Sequence, residues 1–227
     1  PYYFIYTHAV STLGKLKSVF NCNEANQIFA LASIFVVNKF QNKKNVAALF
    51  EVSVLCRWFP DVKLGRTAID SLYENLGRHG TIVDEFEQEL IDDSSKKMAI
   101  DGHVISCSSE KSDLSAFGYK AKKLGTQQVN WMSVYDVITG LPLCNEMFNG
   151  ANPDKTAVQA LFSRFTFKDT LFLVDRGFNT EIDKALMSEN GNTYIVPMIS
   201  GRIGYNYVYD NLKFDKRQYF IYDKDGY

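Results

Sequence analysis

Thr170-Leu171-Phe172-Leu173-Val174-Asp175-Arg176-Gly177 is the stretch that decides the fold. Its apolar run has no polar side to turn toward water, the pattern of a central strand covered on both faces. The run stops at a charge, so Asp175 stands at the strand's C-terminal end. Upstream, residues 98–106 read as a strand whose period of two puts Asp101 and His103 on one face with Ala99 and Ile105. Residues 129–137 and 141–148 are rich in strand formers, and Ile138-Thr139-Gly140 joins them as a hairpin. A helix is expected over 155–165, with Asp154 as N-cap and Val158, Leu161, Phe162 and Phe165 as its apolar stripe. Thr180 then caps a helix through Asn190, Gly191 stops it, and 193–197 forms one more strand. Strand, hairpin, helix, strand, helix, strand is the succession of an α/β fold with a mixed sheet flanked by helices.

The region before this core reads as helical. Ile28, Phe29, Ala32, Phe35 and Val36 recur at helical spacing within 24–37, and a second helix is expected over 45–56. After Pro60, residues 64–76 carry Ile69, Leu72, Tyr73 and Leu76 on one face and meet Gly77 at a C′ position. A last helix over 81–90 displays Ile82, Phe86 and Leu90. A helix-turn-helix with Arg66 and Arg78 toward DNA and plain helical packing both fit these helices. The polar run Asp92-Asp93-Ser94-Ser95-Lys96-Lys97 marks a change of domain. Three parts result: a helical N-terminal region (1–97), an α/β core (98–197), and a segment (198–227) in which 201–209 and 218–222 look like strands outside the first sheet.

Composition limits the partners. With 25 basic and 26 acidic residues the net charge is −1, so no global electrostatic argument favours nucleic acid. Any DNA surface has to be local. The clearest basic cluster is Lys120, Lys122 and Lys123, with Lys111 nearby, and a solvated loop is the default reading of such a run. Cys22, Cys56, Cys107 and Cys144 are too scattered for a zinc site or a disulfide framework, which fits a reducing cytosol. The longest apolar run, 28–37, is short of the ~20 residues that span a bilayer, and no secretory signal opens the chain. A first residue of Pro1 rather than Met, and an end just after a strand-like run, lead to the expectation of a fragment cut at both ends.

Open sheets place ligands at the C-terminal edges of their strands, and Asp101 and Asp175 stand on strands that can be neighbours. Hard carboxylate oxygens suit Mg²⁺ or Mn²⁺, the metals of phosphodiester chemistry. Spacing alone does not single them out among 26 acidic residues. His103 can contact a metal or phosphate, or be an ordinary packed or solvated histidine. Arg176 can meet a DNA backbone, or be a local salt-bridge partner of the acid beside it. Gly177 reads as a turn that needs an unusual backbone angle.

Several motifs in order add to this reading: Ala99-Ile100-Asp101-Gly102, Phe117-Gly118-Tyr119-Lys120, Tyr135-Asp136 with Thr139-Gly140-Leu141-Pro142, Gly150-Ala151-Asn152-Pro153-Asp154, Leu173-Val174-Asp175-Arg176-Gly177-Phe178, and Tyr194-Ile195-Val196-Pro197. Together they resemble bacterial insertion-sequence transposases of the DDE type, the group marked by a Tyr-x2-Arg-x3-Glu-x6-Lys signature. The resemblance is weak from Leu64 and good from Met98 to Pro197. It implies a ribonuclease-H-like core, Mg²⁺ or Mn²⁺ at Asp101 and Asp175, double-stranded DNA (element ends and target) as substrate, strand cleavage and strand transfer, a homodimer, and a bacterial cytoplasmic setting at the nucleoid. It also makes residues 198–227 the start of a β-rich insertion. The chain departs from the pattern in two ways. The third acid, the Glu of the signature, does not occur before Tyr227, since Glu181, Asp183 and Glu189 follow Asp175 too closely, and a chain without it is expected to be inactive. Position 103 holds His where a small hydroxyl residue is expected. A non-catalytic DNA-binding remnant, and a ribonuclease-H-like nuclease or resolvase unconnected with transposition, are the competing readings.

Overall fold

A computed structural model of the chain describes residues 1–39, 42–109, 112–118, 126–152 and 154–197. The strands expected over 201–209 and 218–222, and with them the insertion at 198–227, lie outside the described residues. Contacts divide the chain into two compact units, Pro1–Ser94 and Ser95–Tyr227, with the division inside the polar run at 92–97.

The first unit is helical: α1 (Tyr2–Val19), α2 (Cys22–Asn38), α3 (Lys43–Glu51), α4 (Leu55–Trp58), α5 (Arg66–Arg78) and α6 (Gly80–Asp92). One cluster of apolar side chains, including Leu16, Phe29, Ile34, Val46, Leu55 and Ile69, forms its core. Asn21 caps α2 by accepting a hydrogen bond from Glu24 N at 3.0 Å, so that helix begins before residue 24. Its buried side is Phe29, Ala30 and Ile34, whereas Ala32 is exposed and Val36 is 63% exposed. The expected face is therefore rotated, because a helix that is apolar nearly all round gives periodicity little to read. The helix expected over 45–56 is broken at Val52-Ser53-Val54. There Ser53 Oγ donates to Phe50 O (2.8 Å) and accepts from Leu55 N (3.2 Å), taking over backbone bonds that a continuous helix would need. Gly77 lies inside α5, which runs on to Arg78. It is not a C′ residue. α1 has no counterpart among the expected helices, since Tyr3 and Phe4, 70% and 64% exposed, blur its apolar stripe.

The second unit is built on β1 (Lys97–Cys107), β2 (Gln127–Asp136), β3 (Pro142–Asn149), α7 (Asp154–Arg164), β4 (Leu171–Val174), α8 (Glu181–Met187) and β5 (Thr193–Ile195). The strands form one five-stranded sheet in the order β3-β2-β1-β4-β5. β1–β2 and β2–β3 are antiparallel, and β1–β4 and β4–β5 are parallel. This is an α/β unit with a mixed sheet flanked by helices, compatible with a ribonuclease-H-like fold. α7 packs against β2, β3 and α8, and α8 against β5. Phe162 of α7, Phe167 and Phe172 of β4 meet with ring centroids 5.0–5.3 Å apart. Phe167 and Phe172 are fully buried, and each such ring contributes roughly 1.5–3 kcal/mol. α8 ends at Met187, not at Asn190. Thr180 caps it in a capping box with Asp183, and a 3-10 turn follows in which Asn190 takes φ 55° and breaks the helix.

Two sets of buried polar contacts lock the strand ends. Asp136, 2% exposed, accepts hydrogen bonds from Ser95 N (2.7 Å), Ser95 Oγ (2.8 Å), Ile138 N (2.8 Å) and Thr139 N (3.1 Å). Burial by itself raises this carboxyl's pKa, but the bonds from Ser95, Thr139 and Ile138 outweigh it and hold the group at about 2. Gly140, with φ 71°, closes the hairpin by donating to Asp136 O at 2.8 Å. At the other end of β2, Gln128 Nε2 donates to Gly150 O (2.9 Å) and Asn130 Oδ1 (2.8 Å), while Ala116 pairs with Gln128 through two backbone bonds. A Cβ on Gly150 would overlap the Gln128 carbonyl and lie 2.8 Å from Ala116 O.

Gly150→Ala is expected to destabilise the sheet unit by at least ~2 kcal/mol, because the neighbours it would meet are backbone atoms that cannot swing away. Chemical denaturation checks this, and a loss below ~0.5 kcal/mol would mean that the turn can move. The stabilisation from Asp136 is complete above the unfolded value of 3.8 and is lost as pH falls toward about 2. The advantage of the native protein over Asp136→Asn, followed by denaturation midpoints, should therefore shrink by on the order of 1–2 kcal/mol between about pH 5 and about pH 2.

Candidate active site

β1 and β4 are paired in parallel from Lys97–Leu171 to Ile100–Val174. One residue further along each strand stand Asp101 and Asp175, on strands whose backbones run about 4.8 Å apart. Paired residues of neighbouring strands share a face, so the two acids lie side by side on one face of the sheet. The opposite face is the buried one, where Met98, Ile100, Phe172 and Val174 lie.

β4 ends at Val174, and Asp175 turns the chain into a 3-10 turn at Arg176–Phe178, its Oδ1 accepting from Arg176 N at 2.7 Å. Asp101 Oδ1 likewise accepts from Gly102 N at 2.9 Å. Asp101 Oδ2 faces His103 Nε2 at 3.3 Å, with both side chains more than half exposed. His103 is thus a solvated residue paired with the acid two positions before it. Arg176 is exposed, and its guanidinium makes no ion pair among the described residues, so the local salt-bridge reading does not hold. Gly177 sits in the 3-10 turn without a positive φ, and a Cβ there would meet nothing. The expected backbone requirement at Gly177 is absent.

Across β2 the same face continues. The β1–β2 register places Ser133 opposite Asp101 and Trp131 opposite His103. Ser133 is 1% exposed, and neither its Oγ nor Trp131 Nε1 has a hydrogen-bond partner among the described residues. Neither residue stands out in the sequence. Their placement depends on how β1 and β2 align across residues 108–126, which no local spacing reveals.

Asp101, His103, Asp175 and Arg176 are thus brought to one end of the sheet. The lysines expected to meet DNA (Lys120, Lys122 and Lys123), and Lys111 near them, lie outside the described residues. In the first unit Arg78 pairs with Glu74, and Arg66 Nε is 3.9 Å from Asp70, whose carboxyl is held below its usual pKa chiefly by the hydrogen bond from Lys43. α5 and α6 meet at His79 without the three- or four-residue turn of a helix-turn-helix. Among the described residues no helix is long and apolar enough to cross a membrane.

Two hard carboxylates fit Mg²⁺, which keeps several waters and takes one or two protein carboxylates alongside substrate phosphates. No group of three His, Cys, Asp or Glu able to hold a metal occurs among the described residues. Glu181 and Asp183 serve the first turn of α8 instead, with Asp183 engaged in the capping box.

No protein-family model matches the chain. No curated protein matches it significantly. Among solved structures it is similar to the cryo-EM structure of a piggyBac transposase synaptic complex with hairpin DNA, at 13% identity and a TM-score of 0.47. The match covers 85% of this chain, which spans 45% of that one. A likeness of that degree assigns no role to any residue, and the insertion-sequence resemblance rests on the motifs alone.

The fold makes little use of the two exposed acids, and their like charges oppose each other across neighbouring strands. Asp101→Asn and Asp175→Asn should each leave stability within ~0.5 kcal/mol of the native protein or raise it slightly. A loss above ~1.5 kcal/mol in urea denaturation would make either acid a structural residue.

Proposed function

We propose that the sheet unit is the catalytic core of a DNA transposase that cuts and joins phosphodiester backbones with divalent metal, of the insertion-sequence DDE type that its motifs resemble. The observation that carries the reading is the parallel register that sets Asp101 beside Asp175. A hydrolytic or transesterification site needs negative oxygens converging at an accessible strand end, and these two acids are exposed there while Met98, Ile100, Phe172 and Val174 of the same strands are buried. Mg²⁺ or Mn²⁺, held by Asp101 and Asp175, would supply activation of the attacking hydroxyl and neutralisation of the leaving oxygen. His103 steadies the Asp101 carboxylate. Arg176, adjacent to Asp175 and unpaired, is suited to a phosphate of the scissile strand. Double-stranded DNA is the proposed substrate, and action as a homodimer in the bacterial cytoplasm follows from the same resemblance.

One observation favours a second reading. No third metal-binding side chain joins the pair among the described residues, as in a non-catalytic DNA-binding remnant that keeps the fold.

The test is strand cleavage of duplex DNA carrying the element ends by the protein its gene encodes, with Mg²⁺ or Mn²⁺ present. Asp101→Ala and Asp175→Ala should each lower cleavage by a factor of ~100 or more, with DNA affinity within about twofold of the unsubstituted protein because neither acid is a phosphate-neutralising cation. Cleavage that survives either substitution would overturn the site. DNA binding with no cleavage in the unsubstituted protein would favour the remnant.

A further inference from the structure

We propose that Ser133 is a positioning residue for Asp101, its hydroxyl donating a hydrogen bond to the Asp101 carboxylate when that carboxylate turns to hold a metal ion. The inference deepens the reading of Asp101 and Asp175 as a metal-binding pair and rests on it.

Ser133 stands opposite Asp101 in the antiparallel β1–β2 ladder. Side chains so opposed project from the same face with Cβ atoms about 4.5–5.5 Å apart, within reach of a hydroxyl–carboxylate bond. Ser133 is 1% exposed and its Oγ is unpartnered among the described residues. Buried hydroxyls are nearly always satisfied, so an unsatisfied one beside an ionisable group needs a reason. On the opposite face of the same strand, buried Gln128, Asn130 and Asp136 all have partners within 2.9 Å. Among the buried polar side-chain atoms of β2, Ser133 Oγ and Trp131 Nε1, both on the acid face, are the two without a partner among the described residues.

Asp101 has the capacity to accept the bond. Its Oδ1 takes Gly102 N and its Oδ2 faces His103 Nε2. Each carboxylate oxygen can accept twice, so the hydroxyl adds a third donor without displacing the first two. Donors of this kind set the orientation of metal-binding carboxylates, and their loss typically weakens metal affinity 10–100-fold. A purely space-filling role would be met by alanine, which differs from serine here by the hydroxyl alone.

The experiment measures Mn²⁺ binding to the whole chain by calorimetry or electron paramagnetic resonance, with thermal melting of the metal-free protein alongside. Ser133→Ala should weaken Mn²⁺ binding at least ~10-fold while melting at the same temperature as the native protein or higher, since it removes an unsatisfied buried group. Ser133→Thr, which keeps the hydroxyl, should restore binding to within about threefold. Binding lost in Asp101→Asn and Asp175→Asn but intact in Ser133→Ala would overturn the proposal alone. Binding indifferent to Asp101→Asn and Asp175→Asn would overturn the metal reading, and the role of Ser133 with it.

Discussion

The parallel pairing of β1 with β4 joins two segments far apart in sequence, and the remaining features of the sheet unit depend on it. Its register is dictated by burial: Met98 and Ile100 of β1 fall beside Phe172 and Val174 of β4 on the covered face, where Phe162 of α7 and Phe167 pack on the Phe172 ring. Because side chains alternate along a strand, a slip of either strand by one residue would turn its two buried residues outward and send its own acid, Asp101 or Asp175, into the core. An unpaired carboxylate there would cost several kcal/mol, more than the pairing could return. The meeting of the two acids is therefore a by-product of hydrophobic packing on the other side of the sheet, and no contact between the acids themselves is needed to bring it about.

The two faces of β2 divide the polar work differently. On the covered face, Gln128 and Asn130 tie the end of β3 through Gly150 and Asn152, and Asp136 gathers the start of β1 and the hairpin turn through Ser95, Ile138 and Thr139. Every one of these groups is spent on the fold. On the acid face, Ser133 Oγ and Trp131 Nε1 are buried without partners among the described residues, and Asp101, His103 and Asp175 are open to solvent. On β2 the satisfied polar groups stabilise the architecture, and the two unsatisfied ones lie on the face where chemistry is proposed.

Much of this was legible in the sequence where a local pattern carried it. The apolar run before Asp175 read as a buried strand, and the hairpin at Ile138-Thr139-Gly140 and the stripe of Val158, Leu161 and Phe165 were visible from strand formers, a glycine and helical spacing. The helical region was harder. α2 is apolar on most sides, so its buried face had to be decided by packing, and Ser53 interrupts a helix through a hydroxyl–backbone bond that periodicity does not register. The candidate site was half legible. Asp101 and Asp175 stood out by position and motif, whereas Ser133 depends on a register set across residues 108–126, and the partners of Asp136 on a contact from Ser95.

The lengths of the two central strands explain how acids in the middle of a sheet come to be exposed. β1 runs to Cys107, but its pairing with β4 stops at Ile100, where β4 gives way to the turn at Arg176. Beyond that point, among the described residues, β1 is held in the sheet by β2 alone. A β4 as long as β1 would enclose Asp101 between two strands and raise the cost of its charge. Termination at Val174 instead leaves Asp101 without a β4 residue paired to it, where the chain turns at Asp175 and Arg176. The capped turn that ends β4 is thus as much a part of the proposed site as the carboxylates are: it leaves a position on a central strand exposed to solvent.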